Sequence, residues 1–478
     1  MTILESIYQN YQNKPDEKAI SANDGTVTYK QLWENMELFA TYVKKYGLVK
    51  GDRVIIQNKQ NTGFAVMQLG LLLYGLAVCA VGENATDSDI DKVKRDINAK
   101  KLFLSSEYDI SLTGLLSLLE NVEADHFDFP EENLEADILY TTGTTGNPEG
   151  IIHTHKSHFA TIENITGILE IDKINNLLIA APLHHSFALR RLYANLVLGF
   201  HTIILYKIMP LSTFFTYLKE YNITSLIINP SGMNIILKHG AKYLKEYADQ
   251  LQYIEFSSSP LKKEIIDELI SILPHTHLYN TYGSSEAATT LCLDMAKYSS
   301  KIGCIGKPTR HTTILILDKD GNEINGCGIE NKGYLAVIGK SIMKGYVRQE
   351  SNSRFNPELY ISKDIVYRDN EGFYYLVGRD DDVILTGGYK TAPEEIEEEA
   401  VKYKGIVECA CVGKADKTAG QVPVLFVTIN EDYNKDEFYK FLSNNLETYK
   451  YPKEIRIIEA IPKTFNGKIL RRVLREML

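Results

Sequence analysis

Apolar and polar positions follow two rhythms along this chain. From Val27 to Gln60 the order reads strand, helix, strand. Leu32, Met36, Leu38, Phe39 and Val43 recur near a 3.6-residue period, and Thr28 stands where a helix cap belongs. Gly51-Asp52 then supplies a turn before the apolar Val54-Ile55-Ile56. The unit repeats in kind: Gly70–Leu76 leads into Ala77–Val81, and Phe214–Tyr221 leads into Ser225–Ile228. Helices alternating with short apolar runs predict a mostly parallel, layered α/β sheet. Past about residue 300 the rhythm changes. Thr312–Asp318, Gly333–Ile338 and Gly372–Val377 read as antiparallel strands joined by Gly and Asp turns, a β-rich subdomain. The tail from 383 to 478 alternates short helices and strands, as a small α+β module does.

A chain of 478 residues is too long for one compact core, so two or three domains are expected. With 44% hydrophobic and 24% charged residues it reads as a soluble globular protein. The net charge of −10 counts against a nucleic-acid partner, which wants a basic face. Six cysteines at 79, 292, 304, 327, 409 and 411 give neither a disulfide framework nor a four-ligand zinc spacing. Cys409-Ala-Cys411 puts both thiols on one face of a strand, as a buried structural pair. The N-terminal MTILESIYQN lacks the basic and apolar regions of a signal peptide. The longest apolar run, around Leu69–Val81, is too short to span a bilayer and contains Gly75. The expectation is a cytoplasmic protein with no membrane and no nucleic-acid partner.

Four stretches carry candidate chemistry. In Tyr140-Thr-Thr-Gly-Thr-Thr-Gly-Asn-Pro-Glu-Gly150, glycines let backbone N–H groups converge and threonine hydroxyls add donors. That suits phosphate oxygens, although no Gly-Lys-Ser/Thr follows and a plain polar turn also fits. Asn280-Thr-Tyr-Gly-Ser-Ser-Glu286 gathers an aromatic ring, a tight turn, hydroxyls and a carboxylate, which suits a nucleotide and its magnesium or an ordinary loop. Asp364 and Arg379 flank a hairpin turning at Asp369–Gly372, whose ends meet; they would clasp a ribose diol or form a surface salt bridge. Gly467-Lys468, near the C-terminus, could bring a point charge to a phosphate or carboxylate, or be merely solvated.

The order of these stretches resembles the adenylate-forming superfamily: acyl- and aryl-CoA synthetases, stand-alone adenylation domains and firefly luciferase. The resemblance runs from Val27-Thr-Tyr29 and Gly51-Asp-Arg-Val54 through the Thr/Gly stretch, Pro182-Leu-His-His185, Asn280–Glu286, the Asp364 and Arg379 segments and Gly387-Gly-Tyr-Lys-Thr-Ala-Pro-Glu-Glu-Ile-Glu397 to Phe465-Asn-Gly-Lys-Ile-Leu-Arg-Arg472. It implies an ATP-dependent, magnesium-assisted conversion of a small carboxylic acid to an acyl-adenylate, then transfer to a thiol. That thiol belongs to CoA or to a phosphopantetheinyl carrier protein, with CoA placed first. It implies an N-terminal ATP- and acyl-binding domain (1–380) and a small mobile C-terminal domain (381–478), hinged at Asp381.

Residue by residue, the resemblance assigns the β- and γ-phosphates to Thr141, Thr142, Gly143, Thr144, Thr145 and Gly146. Adenine and ribose fall to Ser258, Ser259, Pro260, Asn280, Thr281, Tyr282, Asp364 and Arg379. Glu286 holds Mg²⁺, His185 lies beside the acyl carboxylate, and Lys468 bridges carboxylate and α-phosphate. Gly387, Gly388 and Tyr389 line the thiol tunnel. The acyl pocket is formed by Ser186, Phe187, Ala188, Leu189, Asn229, Pro230, Ser231, Gly232, Ser258 and Gly283, a mix that suits an aryl or short-to-medium aliphatic acid. Amino-acid-activating relatives have an Asp where Ser186 stands; a buried ammonium without it is costly, so α-amino acids are disfavoured.

Departures from the family pattern are Glu149 for a lysine, Ser257-Ser258-Ser259-Pro260 for Gly-Gly-Ala-Pro, Ser285 for a threonine and Gly333-Tyr-Leu335 for Gly-Glu-Leu. Glu149 would repel the phosphates unless it faces solvent, pairs with a cation or helps the metal; it is expected to point away, leaving phosphate binding to the Gly/Thr backbone. His184 reads as a polar surface neighbour, and Arg190 and Arg191 as surface residues of a helix, or else one of them meets a polar group on the acid. Lys402, Lys404, Lys414 and Lys417 read as a solvated face, or else as a dock for an acidic carrier. A degenerate nucleotide-binding protein without ligase activity stands as the alternative from another class.

Overall fold

A computed structural model of the chain describes residues 1–141, 149–169, 175–257, 261–301, 303–348, 355–387, 389–464 and 467–478; the side chains of Thr141 and Lys390 fall outside that description. The described chain divides into two compact units. The first holds residues 1–141, 149–313 and 337–360, the second 314–336 and 361–478.

The first unit begins as the sequence predicts. Thr28 caps the helix Tyr29–Val43, with Gln31 closing a capping box, and Leu32, Met36, Phe39, Ala40 and Val43 form its buried face. The strand Arg53–Gln57 follows, then the helix Thr62–Tyr74, capped by Asn61 and ended by Gly75 in the left-handed region at φ +91°. Every residue from Thr62 to Leu73 is buried, which explains why this helix shows no amphipathic period.

One sheet of this unit runs in the order Cys304–Pro308, Ala288–Asp294, His277–Ser284, Tyr253–Phe256, Ser225–Ile227, Leu177–Ile179, Thr202–Ile204, Lys18–Ala22, Gly25–Thr28. Its middle, from His277–Ser284 to Lys18–Ala22, is parallel throughout. A second, six-stranded sheet has the order Gly345–Tyr346, Glu149–Thr154, Glu135–Thr141, Ala77–Val81, Arg53–Gln57, Lys101–Phe103. Layered α/β sheets are therefore what forms.

In the second unit the strands Tyr360–Arg368 and Tyr374–Arg379 pair antiparallel. A five-stranded sheet follows: Tyr389–Thr391, Ile384–Thr386, Gly420–Ile429 and Ile406–Asp416, with Glu454–Ile457 beside Gly420–Ile429. Ile396, Phe438 and Leu442 from two helices cover one face over Cys411 and Leu425, and Ile461 and Leu474 cover the other. Cys411 is buried, Cys409 half-buried, and both are free thiols on one strand. No helix among the described residues is long and apolar enough to cross a membrane.

Candidate active site

Parallel sheets of this kind gather ligands beyond the carboxyl ends of their strands. Four neighbouring parallel strands deliver candidate residues there. His185 follows Leu177–Ile179, Asn229 follows Ser225–Ile227, Ser257 follows Tyr253–Phe256, and Glu286 follows His277–Ser284. Residues scattered over a hundred positions of sequence thus arrive at one end of one sheet.

His185 is the cap residue of the helix Ser186–Val197 and makes no side-chain capping bond. Its loop is clamped by Gln60, a buried residue with φ +49°. The Gln60 amide donates to the Ala181 carbonyl (2.8 Å) and accepts from Leu183 N–H (2.8 Å). His184 is not a surface neighbour: its Nδ1 lies 3.1 Å from Asn58 Nδ2, and its ring packs over Gly82. Burial, helped by His185, pulls the His184 pKa down to about 3, and burial pulls His185 down to about 4. Both imidazoles are neutral at neutral pH and can meet an anion only by hydrogen bonding.

Asn280, Thr281, Tyr282 and Gly283 lie in the strand His277–Ser284 rather than in a loop; the turn is confined to 285–287. Gly283 has a packing reason, since a Cβ there would fall 1.9 Å from the Ala288 carbonyl oxygen. Ala288 itself holds φ +63°, in the left-handed region. Glu286 is half-buried on this turn. Its carbonyl accepts from Met343 N–H (2.7 Å), and the Tyr346 hydroxyl donates to its carboxylate.

Glu149 opens the strand Glu149–Thr154, in register with Thr141. It is half-buried. Its Oε1 is shielded from water and has no hydrogen-bond partner among the described residues. Burial, then the charges of Glu286 and Glu149, pushes the Tyr346 pKa up, so both carboxylates lie within electrostatic reach of that ring. Among the described residues no cluster of three or more metal-ligating side chains occurs. One or two hard carboxylate oxygens fit magnesium, which commonly takes its remaining ligands from phosphates and water.

Arg190 and Arg191 are the largest correction: 3% and 2% exposed, both point into the unit. The Arg191 guanidinium grips Glu255 through Nε (3.1 Å) and Nη2, and Nη2 also reaches Thr289 Oγ1 (3.1 Å). Thr281 donates to the same Glu255 (2.8 Å), so its hydroxyl is committed inside the protein. The Phe187 ring lies over the Arg191 guanidinium at 4.7 Å. Of the other expected pocket residues, Ala188 and Leu189 pack in the main core. Asn229 caps its helix by accepting from Gly232 N–H (2.7 Å) and the Ser231 hydroxyl (3.1 Å). Behind them Asp137 accepts from Gln68 Nε2 (2.6 Å) and the Tyr193 hydroxyl (3.1 Å), with His158 Nε2 at 2.8 Å. One sequence signal pointed to these residues: a charge amid apolar strand residues, as in Tyr253-Ile-Glu-Phe256, demands a buried partner.

In the second unit Asp364 and Arg379 are direct register partners at the open end of the hairpin. Arg379 Nη1 lies 3.0 Å from Asp364 Oδ1, and Nε lies 3.1 Å from Asp381 Oδ1. Burial alone would lower the Arg379 pKa, but Asp364 and Asp381 more than offset it and raise it. The Lys468 carbonyl accepts from Thr464 N–H (2.8 Å), and Lys468 follows Gly467 at φ +82°. It is exposed by surface area, yet its ammonium is crowded. Desolvation, then Arg379, lowers its pKa, opposed by Asp364, Asp382 and Asp381. Tyr389 is exposed and stacks on Tyr449 at 4.7 Å, beside Gly387 at φ +59°. The positions 142–146, 258–260 and 388 lie outside the described residues.

The chain matches the family described as AMP-binding enzyme over residues 7–347, and the AMP-binding enzyme C-terminal domain over residues 395–468. It is 25% identical over 472 residues to a 2-succinylbenzoate–CoA ligase of Bacillus mycoides (strain KBAB4), covering 97% of this chain and 96% of the relative. It is 27% identical over 483 residues to an uncharacterized acyl–CoA ligase of Bacillus subtilis (strain 168), covering 94% and 90%. Its fold is that of the o-succinylbenzoate CoA synthetase of Bacillus subtilis in complex with its acyl-adenylate intermediate, with TM-score 0.86 at 22% identity over 98% and 97% of the two chains. ATP-bound MatB of Rhodopseudomonas palustris superposes with TM-score 0.89 at 22% identity over 100% and 99%. With the sheet-end residues, the paired Asp364 and Arg379 and both family matches in place, the chain belongs to the AMP-binding enzymes of the adenylate-forming superfamily and is an ATP-dependent acid–thiol ligase.

Proposed function

We propose that the protein converts a small carboxylic acid, aryl or short-to-medium aliphatic, to its acyl-adenylate and passes the acyl group to CoA. The observation that carries this reading is the arrival of a neutral His185 and a half-buried Glu286 at one end of one parallel sheet. Relatives named as 2-succinylbenzoate–CoA ligases support the acid and the acceptor. Joining a carboxylate to an α-phosphate brings like charges together, so the site must supply positive or hydrogen-bonding groups where charge develops.

His185, being neutral, orients the acid by hydrogen bonding without trapping it as an ion pair. Lys468 lies between the two anions during adenylation and neutralises both. Tyr282 stacks on adenine, and the Asp364–Arg379 pair takes the ribose hydroxyls. Thr141 to Gly146 hold the β- and γ-phosphates, and Ser258 to Pro260 border the nucleotide. Glu286 would hold magnesium, which when bound neutralises triphosphate charge. Asp381 serves as the hinge of the module from 381 to 478, and Gly387 to Tyr389 border the path of the thiol. Lys404 and Lys414 are paired with Asp432 (3.6 Å) and Glu454 (2.9 Å), and Lys402 with Glu399. These pairings lower the positive charge that an acidic carrier would meet there, which supports CoA.

The test is acid-dependent ATP–pyrophosphate exchange without thiol, across aryl, short, medium and long-chain acids and amino acids. Exchange confined to aryl or shorter aliphatic acids is expected; exchange with long-chain or amino acids alone would overturn the acid class. Lys468→Ala should lower exchange by roughly 100-fold or more, while thioester formation from supplied adenylate falls less than about tenfold. Equal losses in both half-reactions would remove Lys468 from adenylation.

A further inference from the structure

Two buried arginines stand side by side on the helix that begins after His185, and their partners differ in kind. Arg191 has a carboxylate, Glu255. Arg190, 3% exposed, has main-chain oxygens: Nη1 donates to the Ser284 carbonyl (3.4 Å) and Nη2 to the Ser285 carbonyl (3.0 Å). Those are the two peptide oxygens just ahead of Glu286.

The histidine beside them sharpens the picture. His153 Nε2 lies 2.7 Å from the Ser285 oxygen and 2.9 Å from Arg190 Nη2, while its Nδ1 lies 3.1 Å from Ser157 Oγ. A ring nitrogen cannot donate to the carbonyl and accept from the guanidinium at once. With the proton on Nε2, the imidazole donates to Ser285, and Nδ1 shares the Ser157 hydroxyl proton with the Thr154 carbonyl, also at 3.1 Å; this tautomer is assigned from the network. The two lone pairs of one carbonyl oxygen are then both taken, one by Arg190 and one by His153.

Burying a guanidinium is costly, and an aliphatic side chain at this helix position would pack without that cost. What the charge achieves here is to pin a turn. The rest of the turn is already tightly held, by Ala287 N–H on Ser284 Oγ (3.1 Å), by Met343 N–H on the Glu286 carbonyl (2.7 Å) and by the close approach of Gly283 to Ala288. Arg191 repels Arg190, while Asp137 and then Glu286 attract it.

We propose that Arg190 is a positioning residue: by holding the Ser284 and Ser285 carbonyls it fixes where the Glu286 carboxylate meets the magnesium–triphosphate. One helix then carries His185 at its start and the grip on Glu286 a turn and a half later, so the acid side and the metal side of the site share a single rigid element. This rests on the reading of Glu286 as the metal carboxylate.

The experiment measures MgATP affinity by titration calorimetry in the full chain, with no acid present, alongside the magnesium dependence of exchange and KM for the acid. The variants are Arg190→Met, Arg190→Lys, Glu286→Gln and the Arg190→Met/Glu286→Gln pair. Arg190→Met should weaken MgATP binding about tenfold and raise the magnesium requirement, with KM for the acid within about twofold. Arg190→Lys, which keeps the charge but not the fork, should recover part of that loss. The double variant should bind no more weakly than Glu286→Gln alone, because Arg190 acts through Glu286. Additive losses, or a rise in KM for the acid with MgATP affinity intact, would overturn the proposal; the latter would make Arg190 a reader of the acid. Unchanged MgATP affinity in Glu286→Gln would show that the underlying reading of Glu286 had failed instead. Should Arg190→Met not fold, as judged by its melting curve, Arg190→Lys carries the same comparison.

Discussion

At Glu149 a carboxylate opens a strand beside the stretch that would cradle a triphosphate, with one oxygen shut off from water. Like charges about 8 Å apart at an effective dielectric of about 20 repel by about 2 kcal/mol. Glu149→Lys should therefore lower KM for ATP by up to about tenfold, and Glu149→Gln by less, measured at saturating acid. A severalfold rise in either variant would mean that the carboxylate assists the metal. The position was legible in sequence as a departure from Pro-Lys-Gly, but its orientation was not. The same holds for Arg190, Arg191 and His184. Whether a polar side chain turns inward depends on partners such as Glu255 and Asn58, far away in sequence.

Among the elements, the Asp364–Arg379 hairpin could be read from its turn and its spacing, because both of its strands are local in sequence. The Asn280–Glu286 stretch could not. Its first half is a strand only because Tyr253–Phe256 and Ala288–Asp294 flank it, and a strand's identity rests on its neighbours. Gly283 gives the sharpest test at this scale. Gly283→Ala places a methyl against the Ala288 carbonyl, with the Thr289 backbone beside it, and should cost roughly 2–4 kcal/mol by chemical denaturation, together with loss of exchange. Gly372→Ala is the comparison. Its φ is +79° but nothing lies within 4 Å of a Cβ there, so only the left-handed strain of about 1–2 kcal/mol applies. Equal costs at the two sites would mean that the close approach does not constrain the turn.

For the molecule as a whole, the two units carry opposite pH signatures. In the first, burial holds His155, His185 and His201 down to about 4 and His184 to about 3, and His153 well below its ordinary range. The unfolded chain takes up protons on these rings below about pH 6.5 and the folded chain does not. Their contribution to stability is present above pH 6.5 and is lost as pH falls toward 4, each ring contributing up to about 1.4 kcal/mol per pH unit. In the second unit, burial pushes Glu397 up to about 7 despite its bonds to Arg471. Its contribution is present below about pH 4.5 and is lost as pH rises through 7. Calorimetric melting should therefore show the first unit destabilised between pH 7 and 5 while the second is not. A first-unit transition independent of pH over that range would contradict the buried neutral histidines.

The sequence by itself determined the local things: helices with their caps, apolar strands, the hairpin, the linear order of Thr/Gly stretch, His185, Glu286, Asp364, Arg379 and Lys468, and through that order the family. These depend on periods of a few residues and on residue types within one turn or strand. Only the tertiary structure decided that Arg190 and Arg191 turn inward, that Glu255 and Asp137 are buried with partners, and that one Glu149 oxygen is shielded. Burial of a charge is settled by what closes over it and what pairs with it, and in this fold those groups come from strands and helices more than fifty residues apart.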